Sequence, residues 1–344
     1  MRGHTRGSMR LPWQRSPAAA VAVLLLLTPL ALLACSCGQS VKKIGVFQFG
    51  PDPDTEAAYQ GLVAGLAEQG YTLGENLRIE RRDCGGDAAT IESTARAFAA
   101  AELDAVVPLT TPCLVAAAQY VTEKPVVFTS VYNPMAAGVA ESPDEHPPNL
   151  TGVYSPPPVE QTIDLIMECL PGVAVIGTVY NPSEANSSAA VKTMEAYCAM
   201  KGIHLATLQL KRTEDVRSAL EGFLGGRPQA GGAGNPQALY ITGDNTVMGA
   251  FDDVVAVTRR DKMPLFINDP GFVEKGAVAG LGPDFAKAGR AGGRLLAEVL
   301  DGKDPATMPL QLDSDTLLCV NRAAAAAVDF QVPEAVLARA AKVF

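Results

Sequence analysis

The sequence has few of the residues and motifs on which enzymatic catalysis depends. Only three histidines occur in 344 residues: His4 lies in an N-terminal leader, His146 in a Pro-rich loop and His204 near a strand start. None has a partner at metal-ligand spacing. No Gly-x-Ser-x-Gly elbow, phosphate-binding P-loop or Gly-x-Gly-x-x-Gly turn is present. We therefore predict that the protein is not an enzyme and that it needs no cofactor and no metal.

Positive charge is also scarce. The chain has 28 Lys and Arg against 37 Asp and Glu, for a net charge of -9. Four of the arginines fall in the leader, so the remainder is still more acidic. An acidic protein is a poor partner for nucleic acid or for an anionic membrane surface. We therefore expect no nucleic-acid partner.

The seven cysteines show no metal-ligand spacing. No Cys-x-x-Cys pair occurs among the five that follow residue 41. In an oxidising compartment Cys169 with Cys198, or Cys84 with Cys113, can form a disulfide. Buried free thiols are the alternative, and the sequence favours them slightly.

The N-terminus is typical of a secreted lipoprotein. Residues 1–34 combine four arginines, no acid and an apolar run from Ala18 to Leu33, as in a signal peptide. Leu32-Leu33-Ala34-Cys35 is similar to a bacterial lipobox, which predicts lipidation at Cys35 and a tether over 35–41. A retained anchor helix is the alternative. We expect an envelope protein exposed in the periplasm or on the cell exterior, held to a membrane only through its lipid.

One stretch of sequence occurs twice. Ile44-Gly45-Val46-Phe47 and Ile176-Gly177-Thr178-Val179 open two segments that also share a polar turn, an Ala-rich helix and a glycine stop. Two βα units that begin alike predict two similar lobes. Two helix N-termini that face one another in this way suggest a ligand cleft rather than a catalytic site.

Strands alternate with helices along the rest of the chain, which predicts an α/β fold with parallel sheets. We expect two doubly wound lobes joined by hinge strands, with a ligand cleft between them. A Gly/Pro-rich insertion over 225–236 is interpreted as a solvated loop without a role. The predicted division is 42–153 plus about 283–312 for the first lobe, and 154–282 plus about 313–344 for the second.

Short polar side chains follow the predicted strands where each strand ends. Ligands of parallel α/β sheets bind beyond the carboxyl ends of strands, and helix N-termini favour anions such as carboxylates. Residues of this type also serve simply as helix caps. Because six such loops converge, we predict ligand contacts at Gln48, Phe49, Asp54, Thr110, Thr111, Ser130, Tyr132, Asn133, Asn186, Ser187, Asp244, Asn245 and Asp269.

From Ile44 onward the sequence resembles the ABC transporter substrate-binding family that includes tryptophan- and tyrosine-binding lipoproteins. The resemblance rests on the order and spacing of several short motifs. They are Gly70-Tyr71, Gly74-Glu75-Asn76-Leu77, Asn133-Pro134-Met135-Ala136-Ala137-Gly138, Asn149-Leu150-Thr151-Gly152-Val153, Tyr180-Asn181-Pro182, Glu184-Ala185-Asn186-Ser187, Gly243-Asp244-Asn245, Leu300-Asp301-Gly302-Lys303 and Val332-Pro333-Glu334.

The resemblance implies that Asn186 and Ser187 hold a ligand carboxylate at a helix N-terminus, with Asp244 or Asn245 beside them. The family's usual Thr-Asp-Pro is here Tyr132-Asn133-Pro134, which removes a negative charge and adds an aromatic ring. Aromatic walls are expected from Phe47, Phe49, Tyr132 and Phe272.

The resemblance further implies a small-molecule ligand, with an aromatic or apolar amino acid as the first expectation and a larger apolar molecule or lipid as the alternative. The expected partners are an ABC permease and its ATPase subunits, and we expect a monomer. A sensory lipoprotein is the alternative from another class. Neighbouring permease and ATPase genes would favour transport, and a neighbouring membrane kinase or cyclase would favour sensing.

Overall fold

The computed structural model describes Met1, Gly3 and residues 41–225 and 234–344. Residues 41–344 form one compact unit. The predicted signal peptide, the lipidated Cys35 and most of the 225–236 insertion lie outside the described residues.

The first lobe is built on a six-stranded sheet in which every pair of neighbours is parallel. Its strands run in the order β11-β5-β4-β3-β1-β2. The apolar runs explain this, because a parallel strand is covered on both faces; every residue of β3 is buried. The bounds are β1 Lys42–Gln48, β2 Leu77–Asp83, β3 Ala105–Leu109, β4 Val126–Val131, β5 Leu150–Tyr154 and β11 Gln311–Leu312.

Four helices belong to this sheet, and two of them pack backbone to backbone. The helices are α1 Pro53–Glu68, α2 Ala88–Ala100, α3 Thr111–Tyr120 and α9 Phe285–Leu300. Where α1 meets α9, a Cβ on Gly65 would lie 2.1 Å from the Arg290 carbonyl oxygen. One on Gly293 would lie 2.2 Å from the carbonyl oxygen of Leu62. Glycine is therefore required at this crossing, which fixes a late segment of the chain on the first lobe.

The second lobe is built on a seven-stranded sheet in the order β13-β12-β10-β9-β8-β6-β7. One pair, β10 with β12, is antiparallel, and the other neighbours are parallel. The strands are β6 Val175–Tyr180, β7 His204–Gln209, β8 Ala238–Ile241, β9 Leu265–Ile267, β10 Ala279–Pro283, β12 Thr316–Val320 and β13 Lys342–Val343. The helices are α4 Val159–Cys169, α5 Ala185–Lys201, α6 Val216–Leu224, α7 Asn245–Met248, α8 Phe251–Arg260, α10 Arg322–Ala327 and α11 Glu334–Arg339.

The predicted α/β fold with two parallel-sheet lobes is confirmed. Between β8 and β9 the chain forms two helices, because α7 ends at Met248 and α8 begins at Phe251. The C-terminal segment likewise holds two short helices, because α10 ends at Ala327 ahead of Asp329, whose φ is positive at 57°, and α11 begins only after Pro333.

The chain passes between the two sheets three times. It leaves β5 for α4 through residues 155–158, leaves β10 for α9 at Asp284, and leaves β11 for β12 through 313–315. Within residues 41–225 and 234–344, no helix has the length and apolarity needed to span a membrane. The same ranges contain no group of three or more His, Cys, Asp or Glu placed to hold a metal.

Candidate ligand-binding site

A cavity of about 300 Å³ lies between the two lobes, at the carboxyl ends of strands from both sheets. This is where parallel α/β sheets bind ligands. The side chains and glycines that line it come from loops after nine strands. They are Phe49, Gly50, Pro51, Asp52, Asp54, Thr55, Gly85, Gly86, Thr110, Thr111, Ser130, Tyr132, Asn186, Thr213, Glu214, Gly243, Asn245, Met248, Gly249, Asp269, Phe272 and Phe285.

Most residues predicted from the sequence as ligand contacts lie on this cavity. Those that line it are Phe49, Asp54, Thr110, Thr111, Ser130, Tyr132, Asn186, Asn245 and Asp269. The other four, Gln48, Asn133, Ser187 and Asp244, are not among the lining residues. The structure thus brings together the loops that the sequence singled out, although not every side chain faces inward.

The four remaining residues bond to neighbouring parts of the protein. The Gln48 amide oxygen accepts from the Arg81 guanidinium at 2.6 Å, and the Asn133 carboxamide oxygen accepts from the Ala136 N–H at 3.0 Å. The Ser187 hydroxyl donates to the Asp244 carboxylate. These side chains shape the loops around the cavity, and a direct contact with ligand stays a prediction for them.

Among residues 41–225 and 234–344, two hydrogen bonds join the lobes across the cavity. The Tyr132 hydroxyl of the first lobe donates to Asp269 Oδ1 of the second at 3.0 Å. The Gly271 N–H of the second lobe donates to Asp54 Oδ1 of the first at 3.0 Å. These contacts define a closed arrangement of the two lobes.

Glycine permits this closed arrangement. A Cβ on Gly243 would lie 2.2 Å from the Tyr132 hydroxyl oxygen, and one on Gly271 would lie 2.7 Å from Asp54 Oδ1. Any larger side chain at either position would therefore collide with the opposite lobe.

Besides the Thr110 hydroxyl, which can also donate, three buried carboxylate or amide oxygens on the cavity-lining residues have no donor within the described residues. They are Asp54 Oδ2, Asn186 Oδ1 and Asp269 Oδ2. The Asn186 amide nitrogen donates to the Gly243 carbonyl at 2.6 Å, which fixes the oxygen as the free atom. Buried acceptors without donors are costly. The arrangement therefore calls for a group that brings several N–H or O–H donors.

The carboxyl groups of Asp54 and Asp269 both have raised pKa values. Burial raises the pKa of Asp54 well above its ordinary value, and the neighbouring carboxylates of Asp269 and Asp52 raise it further. Burial raises the pKa of Asp269 to about 7, although the hydrogen bond from Tyr132 opposes the rise. A positive charge placed between these groups would stabilise both ionised forms.

Helix α3 begins at the cavity without a side-chain cap. Its N-cap residue, Thr110, has a positive φ of 82°, and the Thr110 side chain makes no capping hydrogen bond within the described part of the chain. By contrast, Asp52 caps α1 by accepting from the Thr55 N–H, and Asp244 caps α7 by accepting from the Val247 N–H. Ser130, at the end of β4, also has a positive φ, 57°. Strained backbone of this kind concentrates at functional sites, and an uncapped helix N-terminus favours an anion.

Aromatic rings form part of the cavity wall. Phe49, Tyr132, Phe272 and Phe285 line it, and the Tyr132 and Phe285 rings are stacked with centroids 6.2 Å apart. Phe47 does not; it is fully buried and packs edge-on against Phe98 in the first-lobe core. The expectation for Phe47 was wrong because this residue lies inside β1, which ends at Gln48, and its side chain is covered by Phe98 of α2 instead of reaching beyond the carboxyl end of the strand. Phe285 was missed, although its place just after β10 could have indicated it.

Comparison with known proteins places the chain in a family. Residues 43–344 match the family described as ABC transporter substrate binding protein, and the chain belongs to that family. It is therefore a substrate-binding protein of the ABC transporter family, and such proteins of ABC importers are extracytoplasmic. A "Tyrosine-binding protein" of Clostridioides difficile (strain R20291) is 27% identical over 290 residues, covering 84% of this chain and 81% of that protein.

Solved structures show the same fold. A conserved domain protein from Vibrio cholerae is 32% identical with a TM-score of 0.83, over 89% of this chain and 100% of that one. An ABC domain from Streptococcus pneumonia in complex with L-Trp is 28% identical with a TM-score of 0.82, over 89% and 100%.

A third solved structure is that of an open, ligand-free relative. The ligand-free, open structure of a substrate binding protein from Clostridium difficile is 27% identical, over 88% of this chain and 99% of that one, but its TM-score is 0.65. Identity and coverage are nearly the same as for the L-Trp complex, whose TM-score is 0.82. The difference agrees with the cross-cavity hydrogen bonds, which hold this chain closed.

Proposed function

We propose that this protein captures an amino acid with an aromatic or apolar side chain between its lobes and delivers it to an ABC permease and its ATPase. The observation that carries this proposal is the set of three buried, donor-free acceptors of Asp54, Asn186 and Asp269, contributed by both lobes to one cavity. An ammonium group has three N–H donors for these acceptors, and its positive charge would stabilise the ionised carboxylates of Asp54 and Asp269.

The carboxylate of the ligand would lie at the uncapped start of α3, near Thr110 and Thr111. The proposal differs here from the expectation for Asn186 and Ser187. The free atom of Asn186 is an acceptor, which a carboxylate would repel, and the Ser187 hydroxyl is already bonded to Asp244. We therefore assign Asn186 to the ammonium and Ser187 to the support of Asp244.

The side chain of the ligand would contact Phe49, Phe272 and Phe285. A cavity of about 300 Å³ is at the small end of the usual range for small-molecule sites, which is roughly 300–1,000 Å³. That size supports an amino acid over the alternative of a lipid or another large apolar ligand.

Binding would stabilise the closed form because the ligand contacts both lobes at once. Without a ligand, burial and mutual repulsion oppose ionisation of Asp54 and Asp269 in the closed cleft and raise the pKa of both carboxyl groups. An ammonium between them removes that repulsion. The permease would then recognise the closed form, and the protein would reach it while tethered to a membrane through the lipid on Cys35.

Three related compounds test the ligand assignment. Isothermal titration would compare L-tryptophan with tryptamine, which lacks the carboxylate, and with indolepropionate, which lacks the ammonium; the tyrosine series would be measured in parallel. We expect the amino acid to bind, the amine to bind more weakly, and the acid not to bind. Binding of a fatty acid or lysolipid with no response to any amino acid would overturn the proposal.

The membrane tether has its own test. Cys35→Ser in the full chain should move the protein from the membrane fraction to the soluble envelope fraction, whereas Cys37→Ser should leave it membrane-bound. The reverse pattern would assign the lipid to Cys37.

A further inference from the structure

Cys84 and Cys113, from separate parts of the first lobe, both lie near the carboxyl end of β1. Cys84 directly follows β2, and its N–H donates to the Gln48 carbonyl oxygen at the end of β1, at 3.0 Å. Cys113 lies in the first turn of α3, which follows β3. Strands β2 and β3 are the two neighbours of β1 in the sheet. The topology therefore brings both cysteines to the carboxyl end of β1.

The two thiols share one buried environment. Cys84 is 2% exposed and Cys113 is fully buried, and both belong to the apolar cluster that contains Phe47. A hydrogen bond from Cys113 lowers the pKa of the Cys84 thiol, while burial and then Cys84 itself raise the pKa of the Cys113 thiol. The side chains are thus near enough to interact directly.

Cys169 and Cys198, the other pair that the sequence allowed, do not affect one another's pKa in this way. Cys169 at the end of α4 and Cys198 in α5 are buried in one cluster of the second lobe. The pKa of the Cys169 thiol is raised by burial and by Glu168, and that of Cys198 by burial alone. Neither thiol contributes to the pKa shift of the other, so this pair provides a control within the same protein.

Both cysteines of the first pair adjoin walls of the ligand cavity. Gly85 and Gly86, which follow Cys84, line it, as does Thr111 at the start of α3. Gly85 and Gly86 have positive φ values of 61° and 77°, which their lack of a side chain allows. A covalent link between Cys84 and Cys113 would therefore hold a glycine loop against the helix N-terminus to which we assign the ligand carboxylate.

We propose that Cys84 and Cys113 form a disulfide outside the cytoplasm, where the family functions and where disulfides persist. Both thiols are free in this structure, which shows the reduced form. The thiolate of Cys84 attacks a disulfide oxidant and forms a mixed disulfide, which the Cys113 thiolate then resolves. The two cysteines lose two protons and two electrons, and the oxidant leaves as two thiols.

Thiol trapping tests this directly. The full chain would be expressed with its own leader, purified from the cell envelope without reductant, unfolded in denaturant with N-ethylmaleimide, and digested for mass spectrometry. We expect one pair of peptides joined through Cys84 and Cys113, lighter than the reduced pair by two hydrogen atoms. Cys169, Cys198 and Cys319 should each carry the maleimide. Maleimide on both Cys84 and Cys113 would overturn the proposal.

Thermal unfolding provides the second readout. A reductant should lower the Tm of the wild type and of the control Cys169→Ala/Cys198→Ala by a few degrees, because the link no longer restricts the unfolded chain. It should leave the Tm of Cys84→Ala/Cys113→Ala unchanged. An equal effect of reductant on all three proteins would contradict the disulfide. Neither readout uses a ligand, so the result does not depend on the proposed function.

Discussion

Asp54 and Gly271 come from opposite lobes, and the Gly271 N–H donates to Asp54 Oδ1 at 3.0 Å. The second oxygen of the same carboxylate is buried and has no donor within the described residues. One side chain thus joins the lobes with one atom and leaves the other for the cavity. In the proposed function, this division would let a single residue couple ligand capture to closure.

Asp54→Asn should therefore weaken amino-acid binding strongly. The change removes the negative charge that would hold the ammonium, and loss of a buried charge partner commonly weakens binding by about 2 kcal/mol or more, roughly 30-fold in Kd. Calorimetry with L-tryptophan and L-tyrosine would measure it. Asp144→Asn, a change at an exposed carboxylate in the 141–149 loop, serves as the control and should leave Kd unaltered. Equal affinities for wild type and Asp54→Asn would show that the ammonium lies elsewhere.

Gly243→Ala should prevent full closure while leaving each lobe folded. The added Cβ would lie 2.2 Å from the Tyr132 hydroxyl oxygen, far inside a normal contact. We expect at least a tenfold loss of affinity, about 1.4 kcal/mol, because ligand binding can no longer be combined with closure. Small-angle scattering with saturating ligand should show that the two lobes remain open. Gly222→Ala, whose Cβ meets nothing within 4 Å, is the matched control and should close normally.

Sequence patterns predicted the parts of the site that depend on single strands. Strand ends follow from apolar runs such as Ala105–Leu109, and the polar residues after them, for example Thr110 and Thr111, line the cavity. Contacts between the two lobes could not be predicted from these patterns. The hydrogen bond from Tyr132 to Asp269 spans residues far apart in sequence and exists only when the two sheets meet.

Local conformation was a second limit on prediction. Gln48 stands at a strand end as expected, yet its side chain turns to Arg81, a choice set by the neighbouring strand β2. Gly85 and Gly86 were not anticipated because glycine carries no chemical signal of ligand binding.

Asn186→Ala and Ser187→Ala should differ in their effect on binding. Removal of Asn186 takes away a cavity acceptor and should weaken amino-acid binding by about 1–3 kcal/mol, and it should also lower the Tm because the Gly243 carbonyl loses its donor. Removal of Ser187 takes a donor from the buried Asp244, so it should lower the free energy of unfolding by about 1–3 kcal/mol and leave Kd nearly unchanged. Calorimetry and denaturant unfolding would measure the two effects. If Ser187→Ala loses binding while its stability is unchanged, the ligand carboxylate must instead be assigned to Asn186 and Ser187.

As the pH rises, the stability of the unliganded protein should fall, whereas its affinity for an amino acid should increase. Burial raises the pKa of Asp269 to about 7 from an ordinary 3.8, so the unliganded closed form binds a proton that the unfolded chain releases. Its contribution to stability is present at low pH and is lost as the pH rises through about 7.

A bound ammonium favours the ionised carboxylate, so affinity for an amino acid should increase as the pH rises from about 5 to 8. Each binding event below about pH 7 should also release protons, which calorimetry in buffers of different ionisation enthalpy detects. Asp269→Asn removes one of the two titrating carboxyl groups and should weaken the pH dependence of affinity and of proton release, with Asp54 accounting for what remains, whereas Asp144→Asn should reproduce the wild type. An affinity that falls with rising pH over this range would contradict the placement of the ammonium beside Asp269.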